Sequence, residues 1–316
     1  MEKYNLDNNE EGRRKRPRMK RAEGIEFNNQ NSSENQHRRF FKKKNGKRLK
    51  GSEEIIQNKI NRRKSRQAPP EPKYDGTTRL NKYISNAGIC SRRDADKLIE
   101  AGAVSVNGEV ITVMGYRVKE GDVVTYAGQV LRSEPKRYFL LNKPKGYITT
   151  LDDPQDRNTV MLLVQGCCKE RIYPVGRLDK NTTGLLLFTN DGEMAKRLTH
   201  PSSNIYKIYQ VECDRPVAEA DMKQMMEGIV LEDGPIAVDD VQYQGGQNRS
   251  IVGVALHSGR NRIVRRIFEH FGYEVKKLDR TCFAGLTKKD LGRGRVRELT
   301  QQEVNYLMMI GQPDKK

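Results

Sequence analysis

The first quarter of the chain is too polar and too basic to fold around a core of its own. Residues 1–76 contain 22 Lys and Arg residues and 11 Asp and Glu residues, a net charge of +11, and their apolar residues are few and scattered. Burial of so little apolar surface cannot offset the entropy of ordering the chain. We therefore predict a disordered basic tail at 1–76. Such a tail can bind the phosphates of a nucleic acid without folding, and an anionic membrane is the weaker alternative.

Length and residue usage exclude several classes of protein. The 316 residues suffice for two domains, and the longest uncharged apolar runs, such as residues 185–188, fall far short of the roughly 20 residues that span a membrane. No apolar segment typical of a secretory signal follows the N-terminal charges, so we expect a cytoplasmic protein without membrane association. The five cysteines and four histidines lack metal-ligand spacing, which predicts reduced cysteines and no structural metal ion.

A small unit is predicted from residue 77 to about residue 136. Apolar residues at 80, 83, 84 and 87 have the spacing of a helix with one buried face, and Gly88 is suited to end that helix. Ser91 is a candidate N-cap for a second helix. An Asn107-Gly108 pair between two short valine-containing segments predicts a hairpin.

Two arginines, Arg92 and Arg93, lie in the first turn of the predicted second helix, where the helix dipole disfavours cations. One interpretation is that the helix tolerates two exposed arginines. We favour an anionic ligand at this helix start, because backbone N–H groups and guanidinium groups would converge on a phosphate.

The same unit resembles the ribosomal-protein-S4-type RNA-binding domain. The matching segments are Arg79-Leu-Asn-Lys-Tyr-Ile-Ser-Asn-Ala-Gly-Ile-Cys-Ser-Arg-Arg93, Ile99-Glu-Ala-Gly102 and Val104-Ser-Val-Asn-Gly108. The resemblance implies that the two-helix face binds structured RNA. The candidate contact residues are Arg79, Lys82, Ser91, Arg92 and Arg93.

Residues 137–316 alternate predicted strands and helices without a regular βαβ order. This pattern predicts an α+β domain around a mainly antiparallel sheet. Strands are predicted at 138–142, 185–189, 206–212, 241–243 and 251–256. One helix is predicted after a cap at Asn190 or Asp191, and another from Asn261 to a stop at Gly272.

One acidic residue, Asp179, has the context of a functional group. It lies between Arg177 and Lys180 in a loop just before an apolar strand, and catalytic groups are often on loops held by a rigid strand. From the loop alone, an aspartate that caps a turn or forms a surface ion pair is the favoured interpretation. The chain contains no phosphate loop or dinucleotide-binding glycine pattern that would indicate another chemistry.

A longer segment resembles the RsuA-like family of ribosomal RNA pseudouridine synthases. It runs Pro174-Val-Gly-Arg-Leu-Asp-Lys-Asn-Thr-Thr-Gly-Leu-Leu-Leu-Phe-Thr-Asn-Asp-Gly192. Further matches are Asn142-Lys-Pro-Lys-Gly146, Lys207-x-Tyr209-x-Val211 and Gly259-Arg-Asn-Arg-Ile-Val-Arg-Arg266. The resemblance covers about residues 78–310. It implies isomerisation of a uridine to pseudouridine in rRNA, with no metal, redox step or cofactor.

The resemblance also implies a role for three residues. Asp179 is the catalytic carboxylate, Tyr209 faces the target uracil, and Arg265 pairs with the carboxylate. Asp179 must be ionised to act as nucleophile or base, and a neighbouring guanidinium favours that form. Without the resemblance, Tyr209 would be interpreted as a packing residue of a strand and Arg265 as an exposed helix charge. Arg262 and Arg265 are expected to share the polar face of their helix. The other candidates for RNA contact in this domain are Arg177, Lys180 and Arg262.

Two positions depart from the family pattern. Ser258 stands where many members have an acidic or amide residue, and Ile263 stands where Gln or Glu is frequent. Other segments resemble both the B-type and the F-type members of the family, which act on 23S rRNA. We therefore expect 23S rather than 16S rRNA as the substrate.

The resulting hypothesis is a basic tail at 1–76, an S4-type domain at 77–136 and a catalytic domain at 137–316. We expect a monomer that binds rRNA or a large-subunit assembly intermediate and has no obligate protein partner. The alternative is a non-catalytic RNA-binding ribosome-assembly factor that uses the same domains.

Overall fold

The small unit folds around the apolar stripes found in the sequence. The structure, a computed structural model, describes residues 76–310, so the tail predicted at 1–76 falls almost wholly outside the described residues. The elements of the unit are β1 (Thr77–Arg79), α1 (Leu80–Asn86), α2 (Arg92–Glu100), β2 (Val104–Val106), β3 (Glu109–Val110), β4 (Arg117–Lys119), β5 (Val124–Tyr126) and β6 (Gln129–Val130). Antiparallel strands form a sheet of order β3-β2-β5-β6, and β1 pairs with β4. The two helices bury Leu80, Ile84, Ala95 and Ile99 in one cluster with the valines of β2 and β5.

The local signals in this unit act as expected. The Ser91 side chain accepts a hydrogen bond from the Asp94 N–H at 3.2 Å and so caps α2. Asn107 and Gly108 have φ values of 51° and 88°, the left-handed backbone that a two-residue hairpin turn requires. The predictions of both helices and of the hairpin are confirmed.

The larger unit begins at Tyr138. Its elements are β7 (Tyr138–Lys143), α3 (Met161–Val164), β8 (Tyr173–Pro174), β9 (Thr183–Thr189), α4 (Gly192–Thr199), a 3-10 turn (Pro201–Ser203), β10 (Lys207–Cys213), α5 (Glu219–Glu227), β11 (Ile229–Leu231), β12 (Gly234–Ile236), β13 (Asp240–Gly245), β14 (Asn248–Leu256), α6 (Ile263–His270), β15 (Val275–Phe283), β16 (Leu286–Thr287), β17 (Val296–Glu298) and α7 (Gln301–Met309). The cap of α4 is Asp191, whose carboxylate accepts hydrogen bonds from two N–H groups of the first turn.

One large sheet organises this unit. Its strand order is β13-β14-β10-β15-β9-β7-β17, with β16 beside β15 and β8 beside β9. Neighbouring strands are antiparallel except β15 and β9, which run parallel through the pairs Asp279–Thr183 and Arg280–Gly184. The predicted α+β class with a mainly antiparallel sheet is confirmed.

The centre of the sheet is buried on both faces. Leu140 and Leu185 pack in a cluster with residues of α4 and α7, whereas Leu141 and Leu186 pack in another cluster with α3. This division follows from the strand geometry, in which successive side chains point to opposite faces. The sheet is therefore a rigid layer from whose strand ends the loops project. None of the helices within residues 76–310 is long and apolar enough to cross a membrane.

Helix α6 differs from the prediction at its start. It begins at Ile263 and not at Asn261, because Arg262 has a left-handed backbone (φ 47°, ψ 28°) that no helix can continue through. Arg262 therefore lies outside the helix. Arg265 is buried, with 9% of its surface exposed, so the prediction that the two arginines share a polar helix face is wrong.

Candidate active site

Asp179 lies in the loop of residues 175–182, between β8 and β9. The preceding residue, Leu178, is buried, and the Thr149 hydroxyl donates to its C=O at 2.8 Å while accepting from its N–H at 3.2 Å. The Thr182 N–H donates to the Asp179 C=O at 3.0 Å. The Asp179 side chain is partly exposed. The loop thus holds the backbone of Asp179 on both sides and leaves the carboxylate accessible.

A buried lysine, Lys143, anchors this loop from the end of β7. Its side chain is fully buried, and its Nζ donates to the C=O groups of Thr182 (2.8 Å), Asp179 (3.1 Å), Pro144 (3.2 Å) and Lys180 (3.4 Å). Burial lowers the pKa of Lys143 to about 8, an effect that the Asp179 carboxylate opposes and Arg293 reinforces. The ammonium group therefore links the loop to the sheet and adds positive charge beneath Asp179.

We expect Lys143→Met to lower the free energy of unfolding by about 3 kcal/mol at pH 7, because carbonyl groups that accept from Nζ would lose a buried partner. The difference between the wild type and the variant should depend on pH. Between pH 8 and the ordinary lysine pKa of about 10.4, the unfolded chain holds the Lys143 proton and the folded chain does not. The wild type should therefore gain stability over the variant as the pH rises, by at most about 1.4 kcal/mol per pH unit. Urea denaturation at pH 7 and pH 9.5 measures this, and a difference that shrinks with pH would contradict it.

Arg265 projects from α6 into the same region. Its Nη1 donates to the Val275 C=O at 2.9 Å, which fixes the guanidinium group. Burial and the charge of Arg262 lower the pKa of Arg265, whereas the Asp179 carboxylate acts in the opposite direction. Arg265 and Asp179 are therefore close enough to interact electrostatically, and the surrounding apolar cluster weakens the screening between them.

Arg266, the next residue, points elsewhere. Its two Nη atoms each lie 2.9 Å from a carboxylate oxygen of Asp233, in the turn between β11 and β12. Arg260 donates to Gly234 and Pro235 of the same hairpin. Arg266 is therefore engaged by this hairpin, whereas the charge of Arg265 interacts with the Asp179 carboxylate.

Tyr209 lies on β10, opposite Val254 and Arg280. Its ring is partly buried and packs against the cluster that contains Leu178, the residue before Asp179. Of the three residues expected at the catalytic centre, Arg265 and Asp179 interact electrostatically, and Tyr209 packs against the cluster that contains the residue before Asp179.

The cations expected to contact RNA have different environments. Arg177 and Lys180 flank Asp179 and are exposed, and Arg262 is exposed with Glu269 3.6 Å away. In the small unit, Arg79 and Arg93 are exposed. These five side chains are accessible to a polyanion.

Three other residues of the small unit are engaged within the protein. Lys82 forms an ion pair with Glu193 of α4 at 2.5 Å. Arg92 faces the start of the same helix, where a Cβ on Gly192 would lie 3.2 Å from its Nη2 atom. The Ser91 hydroxyl donates to the Asp94 carboxylate at 2.6 Å. Arg92, like Arg93, is exposed to solvent.

Comparison with known proteins identifies the family of the chain. Residues 137–270 match the RNA pseudouridylate synthase family and residues 78–124 match the S4 domain. An uncharacterized RNA pseudouridine synthase of Aquifex aeolicus is 41% identical over 234 residues, which cover 72% of this chain and 93% of that protein. The chain belongs to the RNA pseudouridine synthase family.

Other relatives of this pseudouridine synthase carry more specific names. The ribosomal large subunit pseudouridine synthase B of Bacillus subtilis is 40% identical, over 73% of this chain and 96% of that protein. The dual-specificity RNA pseudouridine synthase RluF of Escherichia coli is 37% identical, over 75% of this chain and 80% of that protein. A crystal structure of a pseudouridylate synthase superposes with a TM-score of 0.53 at 30% identity and covers 72% of this chain and 99% of that chain.

The sequence did not single out the groups that support the synthase loop. Lys143 ends a strand whose other residues are almost all apolar, and it lies in the family-like segment Asn142-Lys-Pro-Lys-Gly146, but neither signal indicated its role. The two departures from the family pattern have plain structural settings. Ile263 packs in the core cluster of α6, and the Ser258 hydroxyl accepts from the Arg260 N–H at 3.4 Å.

Proposed function

We propose that this synthase isomerises a specific uridine of large-subunit rRNA to pseudouridine, with Asp179 as its catalytic carboxylate. In this proposal Arg265 stabilises the ionised carboxylate and Tyr209 faces the target uracil. The observation that carries the proposal is the approach of a buried, fixed guanidinium to an accessible carboxylate whose backbone is held by Lys143. The choice of large-subunit RNA rests on the name of the relative in Bacillus subtilis.

The reaction is balanced without an external oxidant or reductant. The bond between uracil N1 and ribose C1′ breaks, the base turns, and a bond from uracil C5 to C1′ forms while C5 loses its proton and N1 gains one. Asp179 can attack the ribose or the base covalently, or it can assist a glycal intermediate, and both routes need the ionised form. The nucleotide must leave its stack at a cost of a few kcal/mol, and the Tyr209 ring offers a surface for the extruded base.

The remaining parts of the proposal concern organisation and partners. Residues 77–136 bind rRNA or a large-subunit assembly intermediate, and residues 137–316 carry out catalysis. The protein acts in the cytoplasm as a monomer, without a membrane, a cofactor or an obligate protein partner. Exposed Arg177, Lys180 and Arg262 contact phosphates near the target, and Arg79 and Arg93 contact RNA from the S4 domain.

The basic tail should affect binding and not chemistry. Deletion of residues 1–76 removes a net charge of +11 and none of the proposed catalytic groups. Each lost phosphate contact should reduce the slope of log affinity against log salt by about 0.7–0.9. We expect weaker and less salt-dependent rRNA binding with unchanged turnover at saturating RNA. A filter-binding titration measures the slope, and an unchanged slope would contradict the role of the tail.

The substrate can be tested with RNA labelled with tritium at uracil C5, because pseudouridine formation releases the label to water. We expect release from 23S rRNA, as naked RNA or in a large-subunit assembly intermediate, and none from 16S rRNA. Release from 16S rRNA alone would overturn the choice of large-subunit RNA. No release from any of these substrates would favour the non-catalytic assembly factor.

A further inference from the structure

A buried charged network lies behind the loop that carries Asp179. Its centre is Asp279 on β15, whose surface is only 9% exposed. The carboxylate accepts hydrogen bonds from the Thr183 hydroxyl at 2.9 Å, from Arg293 Nη1 at 2.9 Å and from Lys288 Nζ. Burial disfavours the charge, but the hydrogen bonds from Arg293 and Lys288 outweigh it and lower the pKa of Asp279. The network is therefore ionised at neutral pH.

Two sets of contacts connect the Asp179 loop to this carboxylate. At the C-terminal end, Thr183 is the first residue of β9 and donates directly to Asp279. At the other contact, Arg293 Nη1 donates to the side chain of Asn142 at 3.0 Å and to the C=O of Lys143 at 3.5 Å. Lys143 in turn donates to the C=O of Asp179. One path thus runs from Asp279 through Arg293 and Lys143 to the backbone of Asp179.

The backbone at this point is packed too closely to move without breaking the network. Gly184 pairs with Arg280 in the parallel contact of β9 and β15. A Cβ on Gly184 would lie 2.3 Å from the Arg280 carbonyl oxygen and 2.7 Å from an Asp279 carboxylate oxygen. The start of β9 is therefore held against β15 by a backbone contact and by the Thr183 hydrogen bond together.

A charged network is a costly way to hold two strands together. Desolvation of buried charges offsets much of their attraction, and apolar residues of similar size often stabilise a fold equally well. The charges do provide directional contacts, and a catalytic group displaced by about 1 Å can lose about 100-fold in rate. Orientation of the loop is thus a better explanation for the network than stability.

We propose that Asp279, with Arg293 and Thr183, is a positioning group. It holds the loop so that the Asp179 carboxylate keeps its position relative to Arg265 and the target nucleotide. This inference rests on the proposed catalytic role of Asp179. The positioning residues do not touch the substrate, and their effect passes through Thr183 and Lys143 to the loop.

Two threonines on one strand provide a matched test. Thr183 and Thr189 are the first and last residues of β9, and the Thr189 hydroxyl donates to the Arg137 C=O at 2.6 Å, at the end of the strand opposite the loop. We expect Thr183→Val to lower kcat in the tritium assay by about 10- to 100-fold, with KM for 23S rRNA unchanged. Thr183→Ser keeps the hydroxyl and should restore kcat. Thr189→Val should keep the kcat of the wild type, even if its loss of thermal stability is at least as large as that of Thr183→Val.

A second variant covers the case in which Thr183→Val does not fold. Arg293→Lys keeps the charge but cannot reach Asp279, Asn142 and Lys143 at once, so we expect the same loss of kcat at unchanged KM. Wild-type kcat in folded Thr183→Val or Arg293→Lys would overturn the positioning role. The positioning role would also be overturned if Thr189→Val lost kcat in the same proportion to its loss of stability as Thr183→Val does. Asp179→Asn, assayed in parallel, separates the two proposals. If it is inactive while Thr183→Val is normal, only the positioning role fails, whereas an active Asp179→Asn refutes the catalytic role itself.

Discussion

Asp179→Asn should abolish pseudouridine formation, with a fall in kcat of about 10³-fold or more, the upper range for loss of an acid–base group. The substitution preserves the size of the side chain and its capacity for hydrogen bonds but removes the negative charge. The backbone contacts of the loop involve the Asp179 C=O and would remain. We therefore expect RNA affinity and thermal stability close to those of the wild type. Tritium release from C5-labelled 23S rRNA and filter binding measure the two properties separately.

Asp152→Asn is the matched control for this variant. Asp152 is an exposed residue of the loop after β7 and is not one of the proposed catalytic groups, so its substitution makes the same change in net charge without removing such a group. We expect wild-type turnover from Asp152→Asn. Release at the wild-type rate by Asp179→Asn would refute the assignment, and equal losses in both variants would indicate an effect of net charge alone.

Arg265→Leu should have the second largest effect, a loss of about 10²–10³-fold in kcat, the range seen when one preorganised electrostatic donor is removed from an active site. The leucine can pack with the apolar residues of α6, so the helix should stay in place. The Asp179 carboxylate would lose its electrostatic interaction with the Arg265 guanidinium of α6. Initial rates at saturating 23S rRNA test this expectation.

The adjacent residue, Arg266, is the control that tests whether Arg265 is the active-site arginine. Arg266 is bound to Asp233 at the surface, where solvent screens the ion pair. Arg266→Leu should therefore change kcat by less than about fivefold, since its partner lies in the hairpin of β11 and β12. If Arg266→Leu is impaired more than Arg265→Leu, the register of the active-site arginine is wrong.

Local sequence patterns were sufficient for the elements that depend on local contacts. The stripe from Leu80, the Ser91 cap and the Asn107-Gly108 turn each act within a few residues, and all three have the predicted structure. The start of α6 could not be predicted in this way. It depends on the left-handed backbone of Arg262, a conformation that nothing in the side chain requires.

The site could be predicted in part. The family motifs single out Asp179, Tyr209 and Arg265, which lie on three separate elements, and Arg265 interacts electrostatically with Asp179. Strand β15 escapes a search for apolar runs because Lys276, Lys277, Asp279 and Arg280 interrupt it, although it lies at the centre of the sheet. The partners of its charged residues come from positions far away in the sequence. Such long-range compensation is visible only in the folded chain.

The most direct test of the central proposal is a map of pseudouridines in rRNA from cells that lack this gene, complemented with the wild type or with Asp179→Asn. We predict that one pseudouridine of 23S rRNA disappears without the gene, returns with the wild type and stays absent with Asp179→Asn. An unchanged pseudouridine pattern in cells without the gene, or restoration of the site by Asp179→Asn, would contradict the proposal.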